Sequence, residues 1–317
     1  MELWAAGFNA WNQLRFPDGA LPCDDEPEDI SVFTRVLTDN VIDHVEPYFS
    51  YTWVHTTTPA AGSLIRIAGF VPQDHNALRT AADDRDDTAH PPSSKSHFVE
   101  ASNGVVVAQE CLHQYPSIHE LLLSSSSNRQ SFPGFPSVTQ LVAYETGFAA
   151  LSSTGQVWTW GDERYAACLG RDIDDASPAH RPGLVSDLED LPTGPISKLA
   201  AGGYILAALT EGNDLYCWGH PGRSAILEDL SDRPSPVVIE DNDIADIGIG
   251  AGHLLTLTVD GELFVLGDNT NGQLGLPQVK STSSWTRVDV GLGVKQSIAG
   301  VVAGPRSSFL IIRNRPD

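Results

Sequence analysis

The feature that most restricts this chain is a phrase it repeats. A strand of small residues is followed by a short turn, an apolar strand, a turn glycine, and an aromatic strand that ends in Gly. The clearest copy runs from Ile247 to Gly267, through His253 and the Asp260-Gly261 turn. Leu141 to Gly161 and Leu199 to Gly219 repeat it, closing on Trp160-Gly161 and Trp218-Gly219. A tandem unit of about 50 residues cannot bury both its faces alone and completes its core against its neighbours. Apolar residues alternate or run in short β-branched and aromatic stretches, with no long 3.6-residue period, so the units are built of strands.

The strand opening each unit begins at Val45, Leu141, Leu199, Ile247 and Val301, at intervals of 96, 58, 48 and 54 residues. The first interval is double the third, so a degenerate unit is expected inside it. Residues 97–108 provide one, as strand, Asn103-Gly104 turn and strand. The last unit stops after Ile312 without its aromatic strand. The chain begins with what is missing: Leu3 to Leu14 lines up with Leu263 to Leu274, Gly7 on Gly267, Asn9 on Asn269 and Gln13 on Gln273. The expected fold is all-β: residues 1–317 as one closed propeller of six four-stranded blades, seven being the alternative. The N-terminal strand pairs with the C-terminal blade, and closure removes the exposed sheet edges of an open array.

The charge is lopsided, with 19 Lys and Arg against 41 Asp and Glu, a net −22. Such a surface repels phosphate backbones and anionic membranes, since both are bound through cations. A basic protein partner and simple solubility are equally compatible with it. The acidic runs at 24–29, 83–87, 172–175, 187–190 and 240–246 fall between units and are expected at the rims. Residues 73–96 and 124–131 are low in complexity and are expected to be flexible loops. Four cysteines, at 23, 111, 168 and 217, have neither zinc spacing nor a disulfide pattern, and Cys217 in an aromatic strand is expected to be an apolar filler. With no signal peptide and no run long enough to span a bilayer, a nuclear or cytoplasmic location is expected.

Taken together, G-x-x-H followed by G-x-L-Y-x-W-G-x-N-x-x-G-Q-L-G resembles the repeat of the regulator-of-chromosome-condensation β-propeller family. Residues 247–275 carry it almost whole; 141–170, 199–219 and the joined termini carry it in part. The resemblance is closest to short members, on the Ser50-Tyr51-Thr52 and Ala303-Gly304-Pro305 variants. One such member partners a JmjC-domain dioxygenase, and another pairs with a small zinc protein in diphthamide and tRNA modification. The resemblance therefore implies a non-catalytic, monomeric scaffold for one protein partner. The alternative is guanine-nucleotide exchange on a Ran-type small GTPase, the activity of the founding member. That member's acidic and histidine working positions correspond here to Ser50, Thr146, Tyr204, Gly252 and Arg306, and to Asn12, Ala166 and Gly272. None is acidic or His, which puts exchange activity in doubt.

No catalytic set, cofactor site or metal site is expected. His253 is the one blade histidine in its family position, with Gly147, Ile205 and Ser307 in the equivalent places, so it reads as a hydrogen-bonded structural residue. Trp4, Trp158, Trp160 and Trp218 recur on strands and read as wedges between blades. Trp11 instead stands in a loop position that is polar in the copy, and interface hot spots favour Trp. The candidate partner-binding residues are Trp11, Asn12, Ser50, Thr146, Tyr204 and Arg306.

Overall fold

A computed structural model of the chain describes residues 1–17, 26–60, 62–77, 98–109, 112–123, 128–221, 226–227 and 230–314. Strands β1 (Glu2–Gly7) and β2 (Ile30–Thr38) open the chain. There follow β3 (Val41–Pro47), β4 (Tyr51–Thr58) and β5 (Gly62–Gly69), then β6 (Phe98–Glu100), β7 (Val106–Ala108), β8 (His113–Tyr115) and β9 (Gln130–Ser131). The next group is β10 (Val138–Tyr144), β11 (Gly147–Ser152), β12 (Val157–Gly161) and β13 (Gly183–Leu184). After it come β14 (Ile196–Gly202), β15 (Ile205–Thr210), β16 (Leu215–Gly219) and β17 (Ser235–Val237). The last are β18 (Ile244–Ile249), β19 (His253–Thr258), β20 (Leu263–Asp268), β21 (Ser281–Val288), β22 (Gln296–Ala303) and β23 (Ser307–Asn314).

These strands form six antiparallel sheets arranged in a ring, a six-bladed β-propeller, and the seven-bladed alternative falls. The degenerate unit is the blade β6–β9, with Gly104 in the left-handed turn that its Asn-Gly pair encodes. Five sheets have four strands. The blade β3–β5 has three among the described residues, against the four expected of every blade. One of the four-stranded sheets has the order β2-β1-β23-β22, so the two ends of the chain meet in one blade as expected. Glu2 faces Ile312, Trp4 faces Leu310 and Gly7 faces Ser307. Of the flexible-loop expectations at 73–96 and 124–131, residues 78–96 and 124–127 fall outside the described residues, as do Cys23, Cys111 and the run 83–87, whereas Gln130–Ser131 form β9 and pair with β8.

The second strand of a blade has both faces covered by neighbouring blades, which is why β11, β15 and β19 are buried at every position and are rich in Ala and Leu, with the few Ser, Thr and His they carry enclosed as well. Apolar clusters join adjacent blades. One packs Leu151 and Val157 against Leu199 and Trp218, and another packs Ile205 and Cys217 against Ile247 and Phe264. The seam is equally dry. Leu3 and Phe309 pack with Val45 and Val54 on one side, and Ala6 and Leu310 pack with Leu255 and Val265 on the other.

Polar side chains on the first strands stitch the blades near the axis. Gln140 takes the backbone N–H of Leu199 at 2.8 Å and donates to its carbonyl at 2.7 Å. Lys198 pairs with Asp246, which also accepts the N–H of Val301 at 2.9 Å. Each of these residues ends a register irregularity that recurs in its blade. Asp246 therefore corrects the placing of the run 240–246 at the rim: it lies in β18 and has a structural role.

The tryptophan expectation holds for Trp160 and Trp218, which are fully buried between blades. Their indole N–H groups reach Gln114 Oε1 at 2.9 Å and the Cys168 carbonyl at 3.1 Å, each in the preceding blade. Trp4 packs on the cluster beside β19 and β20. Trp158 is half-buried and meets Phe135 edge-on, a peripheral contact that the strand pattern did not distinguish from a wedge.

Candidate protein-binding face

Antiparallel pairing fixes which parts of the phrase share a face. The turn before the second strand and the glycine closing the third strand sit at the same end of five of the blades: Gly69 faces Tyr51, Gly161 faces Gly147, Gly219 faces Ile205, Gly267 faces His253 and Gly7 faces Ser307. Ser50, Thr146, Tyr204 and Arg306 occupy these turns, and residues 8–15 and Phe70 follow the closing glycines. All the candidate residues therefore lie on one face of the ring. At Gly7 the pairing is so close that a Cβ would stand 2.5 Å from the Arg306 carbonyl oxygen, at a φ of +121°.

The loop after Gly7 repeats the bonds that shape the backbone of the loop after Gly267. Asn9 Oδ1 accepts Leu14 N at 2.9 Å as Asn269 Oδ1 accepts Leu274 N at 2.7 Å. Gln13 Oε1 accepts Trp11 N at 2.9 Å as Gln273 Oε1 accepts Asn271 N at 3.0 Å. Asn12 holds a φ of 58° where the other copy has Gly272 at 84°, a left-handed position that Asn tolerates better than most residues. With the backbone fixed this way, only the side chains differ. Asn271 donates to Asp29 Oδ2 at 2.7 Å, whereas Trp11 projects with 48% of its surface exposed.

Trp11 is not alone. Its ring centroid lies 6.0 Å from that of Phe70, which is 61% exposed, and Phe70 N donates to the Ser50 carbonyl at 2.8 Å. Phe49, 48% exposed, lies 5.4 Å from Phe8, and Gln13 Nε2 ties the Phe49 carbonyl to the Trp11 loop at 3.2 Å. The Arg306 guanidinium lies 6.0 Å from the Phe8 centroid and 5.7 Å from that of Phe49. Four of the six candidates, Trp11, Asn12, Ser50 and Arg306, thus come together across the seam. The phrase missed Phe8, Phe49 and Phe70, although Phe8 and Phe70 share a recognisable signal, the residue directly after a closing glycine.

Thr146 and Tyr204 stand across the ring, three and two blades respectively from the blade of Trp11 and Arg306. Tyr204 stacks on Tyr165 at 5.0 Å with His220 at 6.0 Å, and the Thr146 carbonyl accepts Asp162 N at 3.0 Å. They form a second, smaller aromatic sector of the same face.

Other reactive groups are enclosed. His253 is fully buried, with Nε2 2.9 Å from Ser308 Oγ, and burial lowers its pKa to about 4, so the ring is neutral. This is the structural role expected of it. Burial pushes the Cys168 and Cys217 thiols up to about 12, far from the thiolate range. Sequence reasoning missed a tyrosine cluster on the blade β3–β5. Tyr48 and Tyr51 stack at 4.4 Å, Tyr51 hydrogen-bonds His75, and His75 Nε2 meets Glu100 Oε2 of the next blade at 3.3 Å. Burial raises the pKa of both tyrosines. Among the described residues no group of three or more His, Cys, Asp or Glu is placed to hold a metal ion, and no helix is long and apolar enough to cross a membrane.

Comparison with known proteins agrees with this geometry. Residues 196–224, spanning β14 to β16, match the model of the Regulator of chromosome condensation (RCC1) repeat. The mouse Regulator of chromosome condensation is 32% identical over 148 residues, 44% of this chain and 34% of that protein. The Arabidopsis thaliana mitochondrial RCC1 domain-containing protein RUG3 is 34% identical over 141 residues, covering 42% and 30%. These alignments span about a third of each relative. Among solved structures, Saccharomyces cerevisiae Prp20p superposes with a TM-score of 0.67 at 13% identity, covering 100% of this chain and 92% of that one. Human WBSCR16 superposes at 0.63 with 15% identity, covering 99% and 100%. At these identities the superpositions establish the fold alone. The chain is a β-propeller that carries this repeat.

Proposed function

We propose that the whole ring is a short propeller of the regulator-of-chromosome-condensation type and serves as a non-catalytic scaffold that binds one protein partner. The face bearing Trp11, Asn12, Ser50 and Arg306 is the binding surface, with Thr146 and Tyr204 at its far edge. The observation that carries this reading is the contiguous exposure of Trp11, Phe49 and Phe70 around an arginine, since soluble proteins rarely leave such clusters uncovered without use. Trp, Phe and Arg are also the residues enriched at interface centres. A rigid, closed ring loses little conformational entropy on binding, so surface loops on it make efficient contacts.

The kinds of partner implied by the resemblance are a JmjC-domain oxygenase, a small zinc protein of tRNA or diphthamide modification, or a small GTPase, in the nucleus or cytoplasm. Prp20p was solved together with its binding properties to Gsp1p and histones, which keeps exchange on a small GTPase as the second reading. Affinity capture with the full chain tests the first reading: one stoichiometric protein is expected, lost with Trp11→Ala. A clean monomer from native lysate contradicts it. A labelled-nucleotide release assay on a Ran-type GTPase tests the second, and no acceleration removes it.

A further inference from the structure

We infer that the aromatic patch at the seam receives a partner segment in which a single carboxylate stands beside a bulky apolar side chain, offered by a protein that is not itself strongly acidic. This rests on the reading of the face as a protein-binding surface and adds the chemistry of what it binds.

The argument begins with Arg306. In a chain with 41 carboxylates against 19 basic residues, an arginine has acceptors in excess. Arg35, Arg66, Arg164, Arg233 and Arg287 are each ion-paired, to Glu2, Asp39, Asp162, Asp172 and Glu262. Arg171 is buried and capped by backbone carbonyls. Arg306 is exposed, and among the described residues its guanidinium has no ion pair or hydrogen bond; its neighbours are the rings of Phe8 and Phe49. Rings hold a guanidinium by cation–π attraction without using its N–H donors. The fork is thus oriented and left open, in the geometry that a carboxylate accepts with two parallel hydrogen bonds.

The surroundings decide which anion. Phe49 lies beside the fork, and the exposed pair Trp11 and Phe70 is tied to the Phe49–Ser50 backbone through Gln13 and Phe70 N, so apolar surface adjoins the charge. An apolar side chain next to the carboxylate buries area there and shields the ion pair from water, in which a lone exposed pair contributes little. Polyanions are disfavoured, because no second cation adjoins Arg306 in these contacts and the chain's net −22 repels them at long range. Asp29, bound to Asn9 N at 2.9 Å and to Asn271, adds negative charge on the same rim. The field therefore admits neutral or basic proteins, and the patch selects the one acidic residue they present.

A phage-displayed library of random twelve-residue peptides, panned on the full chain, tests this. Enriched peptides are expected to carry Asp or Glu within two positions of Trp, Phe, Leu or Ile. Their affinity should fall about tenfold on Arg306→Ala and on Trp11→Ala, and by a similar factor when the peptide's Asp is replaced by Asn. The Arg306→Ala and Asp→Asn losses should not add, because they remove one pair. Both protein positions are exposed, so thermal unfolding of the variants should match the parent. Enrichment of peptides without an acid, undiminished binding to Arg306→Ala, or no enrichment above a Trp11→Ala control overturns the inference. A captured protein partner that is lost with Tyr204→Ala but kept with Trp11→Ala and Arg306→Ala also overturns it, while leaving the protein-binding reading intact.

Discussion

Leu3→Ala asks whether the seam is packed as tightly as an ordinary blade junction. Leu3 is fully buried in β1 and packs with Phe309, Val45 and Val54, so it belongs to both ends of the chain at once. Leu254, also fully buried, lies in β19 far from either end in sequence and is the natural control. Truncation removes about three carbons, or about 2 kcal/mol of transfer free energy, and the residual cavity brings the usual total to about 2–5 kcal/mol. Native stabilities are about 5–15 kcal/mol, so either variant should be plainly weakened. Urea unfolding followed by tryptophan fluorescence should show both midpoints lowered by comparable amounts with an unchanged slope. An unmoved midpoint for Leu3→Ala beside a lowered one for Leu254→Ala would mean that the termini lie against the ring without closing it.

Asp246→Ala should destabilise by about 2–4 kcal/mol, because it leaves the Val301 N–H and the Lys198 ammonium unpaired; Asp246→Asn should recover part of this, as read by thermal unfolding. His253 is neutral in the fold, with a pKa depressed to about 4 from 6.5, so the unfolded chain takes up a proton first. Stability should be constant above about pH 6.5 and fall between there and pH 4, by on the order of 3 kcal/mol from this group, and His253→Gln should flatten the slope. Gly7→Ala should cost far more than Gly261→Ala. Both have positive φ, but a Cβ at Gly261 meets nothing within 4 Å, whereas at Gly7 it meets the Arg306 carbonyl.

The ring was legible in the sequence because each blade needs the same things at the same places: small residues near the axis, a doubly buried second strand, and glycine where the third strand approaches the turn. The likeness of residues 9–14 to 269–274 reported the closure, since the same hydrogen bonds recur in both loops. What escaped was what the phrase does not repeat. Phe49 and Phe70 come from different segments and meet Trp11 only when the seam closes. His75 finds Glu100 only when two blades pack. Asp246 looked like one acid among many in a loop, and its register after a strand irregularity gave it a buried partner. The split of the candidates, with Thr146 three blades and Tyr204 two blades away from the blade of Trp11, depends on the order of blades around the ring, which spacing along the chain does not give.

Hydrogen–deuterium exchange on the chain with and without its captured partner tests the binding face most directly. Protection is expected at residues 8–13, 48–50, 69–70 and 305–306. Protection confined to the opposite rim, at the turns 153–156, 211–214 and 259–262, would contradict it.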